Sequence, residues 1–168
     1  MEGRILIAYA TKYGATQEIA EKIGEVINQA GLSADVQAVK NVNDLSPYGA
    51  VVLGSAVYIG NWRKTAANFL KENAALLKER EVWIFSSGPV GDGDPIDLLD
   101  GWRLPGKLEP VVENIQPQDV VVFHGAVFET KMNFIEKWMM NNMGSPAGDF
   151  RDWKAITAWA QSIAEALK

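Results

Sequence analysis

Short apolar runs and longer amphipathic segments alternate along the whole chain. The apolar runs are continuous, as at 51–53 and 120–123, which is typical of parallel strands buried on both faces. Between them, apolar side chains recur at about 3.6-residue spacing, which predicts helices. Strands are predicted at 4–10, 34–39, 50–57, 81–86 and 119–126. Helices are predicted at 16–30, 63–79, 131–143 and 152–167, with a short one near 43–47.

This order of elements predicts βαβ units in an α/β, doubly wound sheet. One stretch departs from the alternation. Residues 87–118 begin rich in glycine, proline and aspartate, and show no periodic pattern before Val120. A connection of this length inside a compact domain is usually functional. We therefore expect a single domain over 1–168 that carries 87–118 as a long loop insertion after the fourth strand.

The turn after the first predicted strand has the composition of an anion site. Residues 11–16 read Thr-Lys-Tyr-Gly-Ala-Thr and lead directly into the first helix. The first N–H groups of a helix have no intrahelical partner, and the helix dipole favours an anion at this end. Thr11 and Thr16 add hydroxyl donors, and Gly14 permits a tight turn. This pattern predicts a phosphate site, with an ordinary turn capped by Thr16 as the alternative.

Other classes of phosphate-binding protein do not match this turn. The chain has no Gly-x-x-x-x-Gly-Lys-Ser/Thr motif, and no Gly-x-Gly-x-x-Gly follows the first strand. A phospho-acceptor receiver domain needs carboxylates at the ends of the first and third strands. Those ends are Tyr-Ala-Thr at 9–11 and Ser-Ala-Val at 55–57, which contain no acid.

The composition excludes several kinds of catalytic and cofactor chemistry. The 168 residues include no cysteine and one histidine, His124. Thiolate catalysis, disulfides, iron–sulfur clusters and histidine-rich metal sites are thereby excluded, and we expect no metal site. The net charge of −5 argues against nucleic acid as the main partner. No run approaches roughly 18 apolar residues, and the first is too short for a signal peptide, so we expect a cytoplasmic protein without a transmembrane segment.

The Thr-x-x-Gly-x-Thr turn resembles the phosphate loop of flavodoxins, and two further loops share the resemblance. They are Gly-Ser-Ala-Val-Tyr-Ile-Gly-Asn-Trp at 54–62 and Ser-Ser-Gly-Pro-Val-Gly-Asp at 86–92. Flavodoxin-like proteins enclose the isoalloxazine ring of FMN with these loops. The resemblance implies a flavodoxin-like three-layer sandwich with five parallel strands in the order 2-1-3-4-5, and one non-covalently bound FMN that supplies the chemistry without a catalytic side chain. The cofactor-binding residues that it implies are Thr11, Lys12, Tyr13, Gly14, Ala15, Thr16, Ser55, Ala56, Val57, Tyr58, Ile59, Gly60, Asn61, Ser87, Gly88, Pro89, Val90, Gly91 and Asp92.

Two aromatic side chains flank the expected ring site. Tyr58 and Trp62 could each contact the flavin, or could pack against the helix that follows. The third loop has no aromatic residue, so one face of the ring is expected to stay open to a substrate or partner. An open face favours an enzyme over a pure electron carrier.

Within this superfamily the chain resembles the branch that contains the menaquinone-dependent protoporphyrinogen dehydrogenases. The similar segments are 54–60, the insertion after the fourth strand, and a C-terminal third with 124–126, 134–140 and 148–153. The branch implies an oxidoreductase that passes electrons from a flat, porphyrinogen-like substrate to a quinone or a soluble acceptor. The insertion of those enzymes is strongly basic, whereas 92–118 holds six acidic and two basic residues. Docking to an anionic membrane is therefore in doubt.

Two alternatives to an enzyme remain open. One is a flavodoxin-type carrier whose acidic face docks a basic redox protein. The other is a non-redox domain with an emptied flavin site, which the intact loops disfavour.

Charge near the expected ring site also bears on function. Carriers of very low potential surround FMN with carboxylates, but segment 56–66 has Arg63 and Lys64 and no acid. A unit charge near 4 Å is worth on the order of 1 kcal/mol in water. We therefore predict that bound FMN is easier to reduce fully here than in a typical carrier, unless Asp92 and Asp94 offset the positive charge.

Overall fold

The computed structural model describes residues 3–144 and 146–168, and a parallel sheet forms its centre. The strands are β1 (Arg4–Ala10), β2 (Ala34–Ala38), β3 (Tyr48–Tyr58), β4 (Asn61–Trp62), β5 (Glu81–Ser87), β6 (Asp119–Phe123), β7 (Ala126–Val127) and β8 (Gly148–Asp149). The helices are α1 (Ala15–Gln29), α2 (Lys64–Glu72), α3 (Ala74–Leu77), α4 (Glu109–Ile115), α5 (Phe134–Met143) and α6 (Trp153–Ala166).

The sheet order is β2-β1-β3-β5-β6, and every neighbouring pair is parallel. Counted over these five strands alone, the order is 2-1-3-4-5, so the predicted topology is confirmed. The two-residue β4 lies off this path, because it folds back antiparallel on the end of β3. Strands β7 and β8 form a separate two-stranded sheet.

Two apolar layers enclose the sheet because successive side chains of a strand point to opposite faces. In β1, Ile5 and Ile7 pack with α1 and α6, whereas Leu6 and Ala8 pack with α2, α3 and α4. All four side chains are buried. The result is a three-layer sandwich in which the carboxyl ends of β1, β3 and β5 meet at one edge. Loops at that edge are where ligands bind in open α/β sheets.

The helix predicted near 43–47 is wrong. A single 3₁₀ turn occupies 39–41 instead, and a turn built on Asp44 follows it. The Asp44 carboxylate accepts both the backbone N–H and the hydroxyl of Ser46. An aspartate that bonds its own neighbourhood in this way competes with helix formation.

Two other helices differ from the prediction. The helix predicted over 63–79 divides at Asn73, whose side-chain amide donates to the carbonyl of Phe69. The helix predicted to begin at 131 begins at Phe134, because Asn133 and Glu136 form a reciprocal capping box.

The prediction of no periodic structure in 87–118 is also wrong, because α4 lies within it. Leu108, Val112 and Ile115 recur on one helical face and are buried against the sheet. Neither stretch of the described chain, 3–144 or 146–168, contains a helix long and apolar enough to cross a membrane.

Candidate functional site

An open cleft lies at the carboxyl ends of β1, β3 and β5. It encloses about 660 Å³ of empty space, part of which is open solvent. All three loops that the sequence singled out contribute to it, together with part of the C-terminal third. The lining residues are Thr11, Lys12, Tyr13, Ala15, Thr16, Ala56, Val57, Tyr58, Arg63, Ser87, Gly88, Gly125, Ala126, Val127, Met132 and Met140.

The turn between β1 and α1 is built to receive an anion. Gly14 precedes α1 with a φ of 94°, and its N–H donates to the Thr11 hydroxyl at 2.9 Å. No side chain caps the first turn of α1. By contrast, Asp152 caps α6 by accepting two backbone N–H groups. The uncapped donors of α1 therefore face the cleft without a protein acceptor.

Thr16 adds a hydroxyl to this turn. The residue is 1% exposed and lines the cleft. A threonine hydroxyl at the start of a helix can donate to an anion held by the first N–H groups. The donor set of the turn fits a phosphate group.

The loop after β3 contributes only its first part to the cleft. Ala56, Val57 and Tyr58 line it, whereas Ile59 and Gly60 form the tip of a hairpin that turns away. Both tip residues have positive φ, 50° for Ile59 and 68° for Gly60. A β-branched residue in this region of the Ramachandran plot is strained. Ile59 is also 61% exposed, so no packing within the chain compensates for the strain.

Two more residues of this loop serve the scaffold. The Ser55 hydroxyl is buried and accepts the backbone N–H of Arg63 at 3.0 Å. Trp62 is buried in the core beside α2, and its indole N–H donates to the Ser86 hydroxyl at 2.8 Å. Of the two aromatic candidates, Tyr58 lines the cleft and Trp62 does not. Asn61 pairs with Tyr58 across the hairpin and also lies outside the cleft lining.

The loop after β5 likewise contributes its first two residues, Ser87 and Gly88. Residues 89–92 lie outside the lining. The imidazole of His124 bridges the carbonyls of Pro89 (3.1 Å) and Gly93 (2.7 Å) and so joins this loop to the residue after β6. Both ring nitrogens of His124 are thus used in contacts with backbone carbonyls.

Backbone packs closely at the floor of the cleft. A Cβ on Gly125 would lie 3.1 Å from the backbone of Gly88, and one on Gly88 would lie 3.0 Å from the Val57 side chain. The absence of side chains at these two glycines lets three loops converge on one surface.

The C-terminal third supplies a wall that sequence reasoning did not assign. Val127, Met132 and Met140 line the cleft from the segment that runs from β7 through α5. These residues follow the loop at 54–62 by more than 60 positions in the sequence, so no local pattern reveals that they share a cleft with it. The methionine content of 132–143 was the available signal, since such side chains suit flat apolar ligands.

Charged contacts join this segment to the turn before α1. The Lys12 ammonium forms an ion pair with Glu136 and lies 4.3 Å from the centre of the Tyr58 ring. Lys12 lowers the pKa of Glu136 to about 2, with help from the Tyr13 hydroxyl and then from the Asn133 backbone N–H, and Glu136 raises the pKa of Lys12. Lys131 donates to the carbonyl of Tyr13 at 3.1 Å.

The Tyr13 hydroxyl is buried beside the Lys12–Glu136 pair. No group in 3–144 or 146–168 meets it with hydrogen-bond geometry. Burial raises the pKa of this phenol, and nearby Glu136 raises it further. The phenol therefore lies against the ion pair that joins the turn before α1 to α5.

Arg151 fixes the other side of the first turn of α1. Its side chain is 4% exposed, pairs with Asp149 at 2.7 Å and with Glu18, and donates to the carbonyl of Ala15. Arg151 lowers the pKa of Asp149. The guanidinium is thus paired with carboxylates of the protein itself. Through these contacts Arg151 links β8 to the first turn of α1.

Beside the cleft, α5 exposes an unusually apolar face. Phe134, Ile135, Trp138 and Met143 are 62–83% exposed on a ten-residue helix. Contiguous exposed apolar groups of this size generally mark a surface that another molecule covers.

The fold and the phosphate-type turn define a flavodoxin-class protein, and the family comparison agrees. The model of the flavodoxin domain family matches residues 6–154, so the chain belongs to that family. It is an FMN-binding redox protein of the flavodoxin type.

Individual relatives are distant in sequence. Protoporphyrinogen IX dehydrogenase [quinone] of Escherichia coli K12 is 21% identical, and the match covers 96% of this chain and 94% of the enzyme. An archaeal flavodoxin structure superposes with a TM-score of 0.64 at 13% identity, covering 98% of both chains. Oxidised flavodoxin 2 of Bacillus cereus gives 0.62 at 19% identity, covering 98% of this chain and 99% of that one.

Proposed function

We propose that FMN occupies the cleft with its phosphate at the N-terminus of α1. The observation that carries this proposal is the first turn of α1, which has no side-chain cap, together with Thr11 and Thr16 in the cleft lining beside it. When bound, FMN supplies reversible two-electron redox chemistry, which the protein directs by orientation and charge. The residues assigned to FMN contact are Thr11, Lys12, Tyr13, Ala15, Thr16, Ala56, Val57, Tyr58, Ser87 and Gly88.

The remaining residues expected from the sequence have a different role in this proposal. Gly14 shapes the turn, and Ser55 holds the backbone of Arg63. The hairpin tip 59–61 and the segment 89–92 lie outside the cleft lining and are not assigned an FMN contact in this proposal.

We further propose an oxidoreductase of the protoporphyrinogen dehydrogenase type, which passes electrons from a flat substrate to a quinone or soluble acceptor. Two features support an apolar substrate or acceptor. Met132 and Met140 give the cleft an apolar wall, and the apolar face of α5 lies next to it. The match to the E. coli enzyme along nearly the whole chain supports the same class.

The alternative is an electron carrier that docks a basic redox protein. The acidic residues of 92–118 favour it, because complementary charge steers such encounters. These acids lie outside the cleft lining, where none of the described residues is acidic. Lys12 and Arg63 are the basic residues among the described lining. Lys12 is paired with Glu136, whereas Arg63 has no carboxylate partner in 3–144 or 146–168.

Stopped-flow oxidation separates the two functions. FMN-loaded protein is reduced anaerobically and mixed either with a water-soluble quinone or with a basic one-electron acceptor protein. The enzyme proposal expects complete oxidation by the quinone, and quinone-dependent oxidation of a porphyrinogen under turnover. Rapid oxidation by the basic protein alone, with an inert quinone, supports the carrier.

Two broader expectations are proposals as well. A single domain over 1–168 predicts one cooperative thermal transition. A cytoplasmic location predicts recovery with the cytosolic fraction after cell lysis.

A further inference from the structure

Three basic side chains contact the turn before α1 or the first turn of α1. Lys12 belongs to the turn itself, Arg151 reaches it from β8, and Lys131 reaches it from the residues before α5. These three side chains differ in whether a carboxylate pairs with them. Lys12 is paired with Glu136, and Arg151 is paired with both Glu18 and Asp149.

Lys131 has no such pairing. Across 3–144 and 146–168, no carboxylate oxygen lies within 4 Å of its ammonium. Its one side-chain hydrogen bond is to the carbonyl of Tyr13 at 3.1 Å. An ammonium has three N–H donors, so at least two are available to another acceptor.

The position of this ammonium places it against the turn. A Cβ on Gly14 would lie 3.6 Å from Lys131 Nζ, and Gly14 is the residue that precedes α1. The following residue, Met132, lines the cleft. The positive charge of Lys131 therefore lies at the end of α1 where the uncapped N–H groups are.

We propose that Lys131 is a phosphate-binding residue, and that it makes the site select a phosphorylated flavin over an unphosphorylated one. This inference rests on the proposed FMN site. Backbone amides and hydroxyls alone would hold the dianion with neutral donors, whereas Lys131 adds a charge-assisted contact. The C-terminal third thereby takes part in cofactor recognition as well as in forming the cleft wall.

The test compares the affinities of apoprotein variants for FMN and for riboflavin by flavin fluorescence. Lys131→Gln removes the charge, Lys131→Met removes it while keeping the stem, and Lys131→Arg retains it. Lys137→Gln is the matched control, since Lys137 is exposed on α5 and forms no ion pair in the described chain. Circular dichroism verifies that each variant is folded. We expect that all of them are, because the side chain of Lys131 is exposed.

We expect the Gln and Met variants to bind FMN about tenfold more weakly or worse, with riboflavin affinity unchanged. The Arg and Lys137 variants should stay within about twofold of wild type, and the dependence of FMN affinity on salt should be shallower in Lys131→Gln. Unchanged FMN affinity in both charge-removing variants, or equal losses for FMN and riboflavin, overturns this inference alone. A wild-type protein that takes up no FMN overturns the proposed function as well.

Discussion

Replacing Thr16 with valine isolates the phosphate contact, because valine has nearly the same shape. Thr16 is 1% exposed and lines the cleft at the first turn of α1, where the phosphate is proposed to bind. Loss of the hydroxyl should leave the stability of the apoprotein unchanged or slightly higher, since in this proposal the hydroxyl serves the phosphate rather than the fold.

The cost should appear on FMN binding instead. A hydrogen bond to a charged group contributes about 1.5–3 kcal/mol, which corresponds to about 10- to 150-fold in affinity. Thr11→Val is the informative comparison, because the Thr11 hydroxyl already accepts the N–H of Gly14 at 2.9 Å. That variant should lose about 1 kcal/mol of apoprotein stability in addition to any loss of FMN affinity.

The assay is a fluorescence titration of each apoprotein with FMN, paired with urea denaturation in the absence of flavin. Riboflavin serves as the ligand without phosphate, and its affinity should not change in Thr16→Val. Wild-type FMN affinity in Thr16→Val would refute the placement of the phosphate at α1. A clear loss of apoprotein stability would refute the inference that the hydroxyl is reserved for a ligand.

Three further predictions concern the hairpin, the cleft charge and the Lys12–Glu136 pair. Ile59→Asn should stabilise the protein by about 1 kcal/mol in thermal denaturation, because asparagine tolerates positive φ before glycine and little burial is lost; a lower Tm would contradict the strain at Ile59. Arg63→Gln should make the potential of bound FMN more negative by a few tens of millivolts in a potentiometric titration, and a shift to less negative values would be opposite to the expected sign. Glu136→Gln keeps the capping bond to Asn133 but removes the ion pair. Since the pKa of Glu136 is lowered from 4.5 to about 2, the urea midpoint of wild type should exceed that of the variant above about pH 5, and the difference should vanish as the pH falls through 2; a difference independent of pH would argue against the pair.

The sheet and the tight turn at 11–16 could be predicted because their signals are local. A run such as 51–53 is buried on both faces, and the Thr-Lys-Tyr-Gly-Ala-Thr turn contains its own glycine and hydroxyls. The same local reasoning explains the errors. At 43–47 the side chain of Asp44 forms a turn in place of a helix, and at 109–115 the composition of the preceding loop hid the spacing of Val112 and Ile115.

The extent of each flavin loop depended on contacts that no window of sequence contains. The carbonyl of Pro89 contacts His124, which is 35 positions later in the sequence, and 89–92 lies outside the cleft lining. The wall formed by Met132 and Met140, and the contact of Lys131 with Tyr13, join segments more than 100 residues apart. Such contacts follow from the way the C-terminal third packs across the end of α1, which the order of elements alone does not specify.

The central claim is that the cleft at the end of α1 holds FMN through its phosphate. The most direct measurement is a titration of purified, flavin-free protein with FMN, followed by absorbance and fluorescence and repeated with riboflavin. The account predicts saturable uptake of one FMN per chain, with much weaker uptake of riboflavin. Absence of saturable FMN binding, or equal affinity for the two flavins, would contradict it.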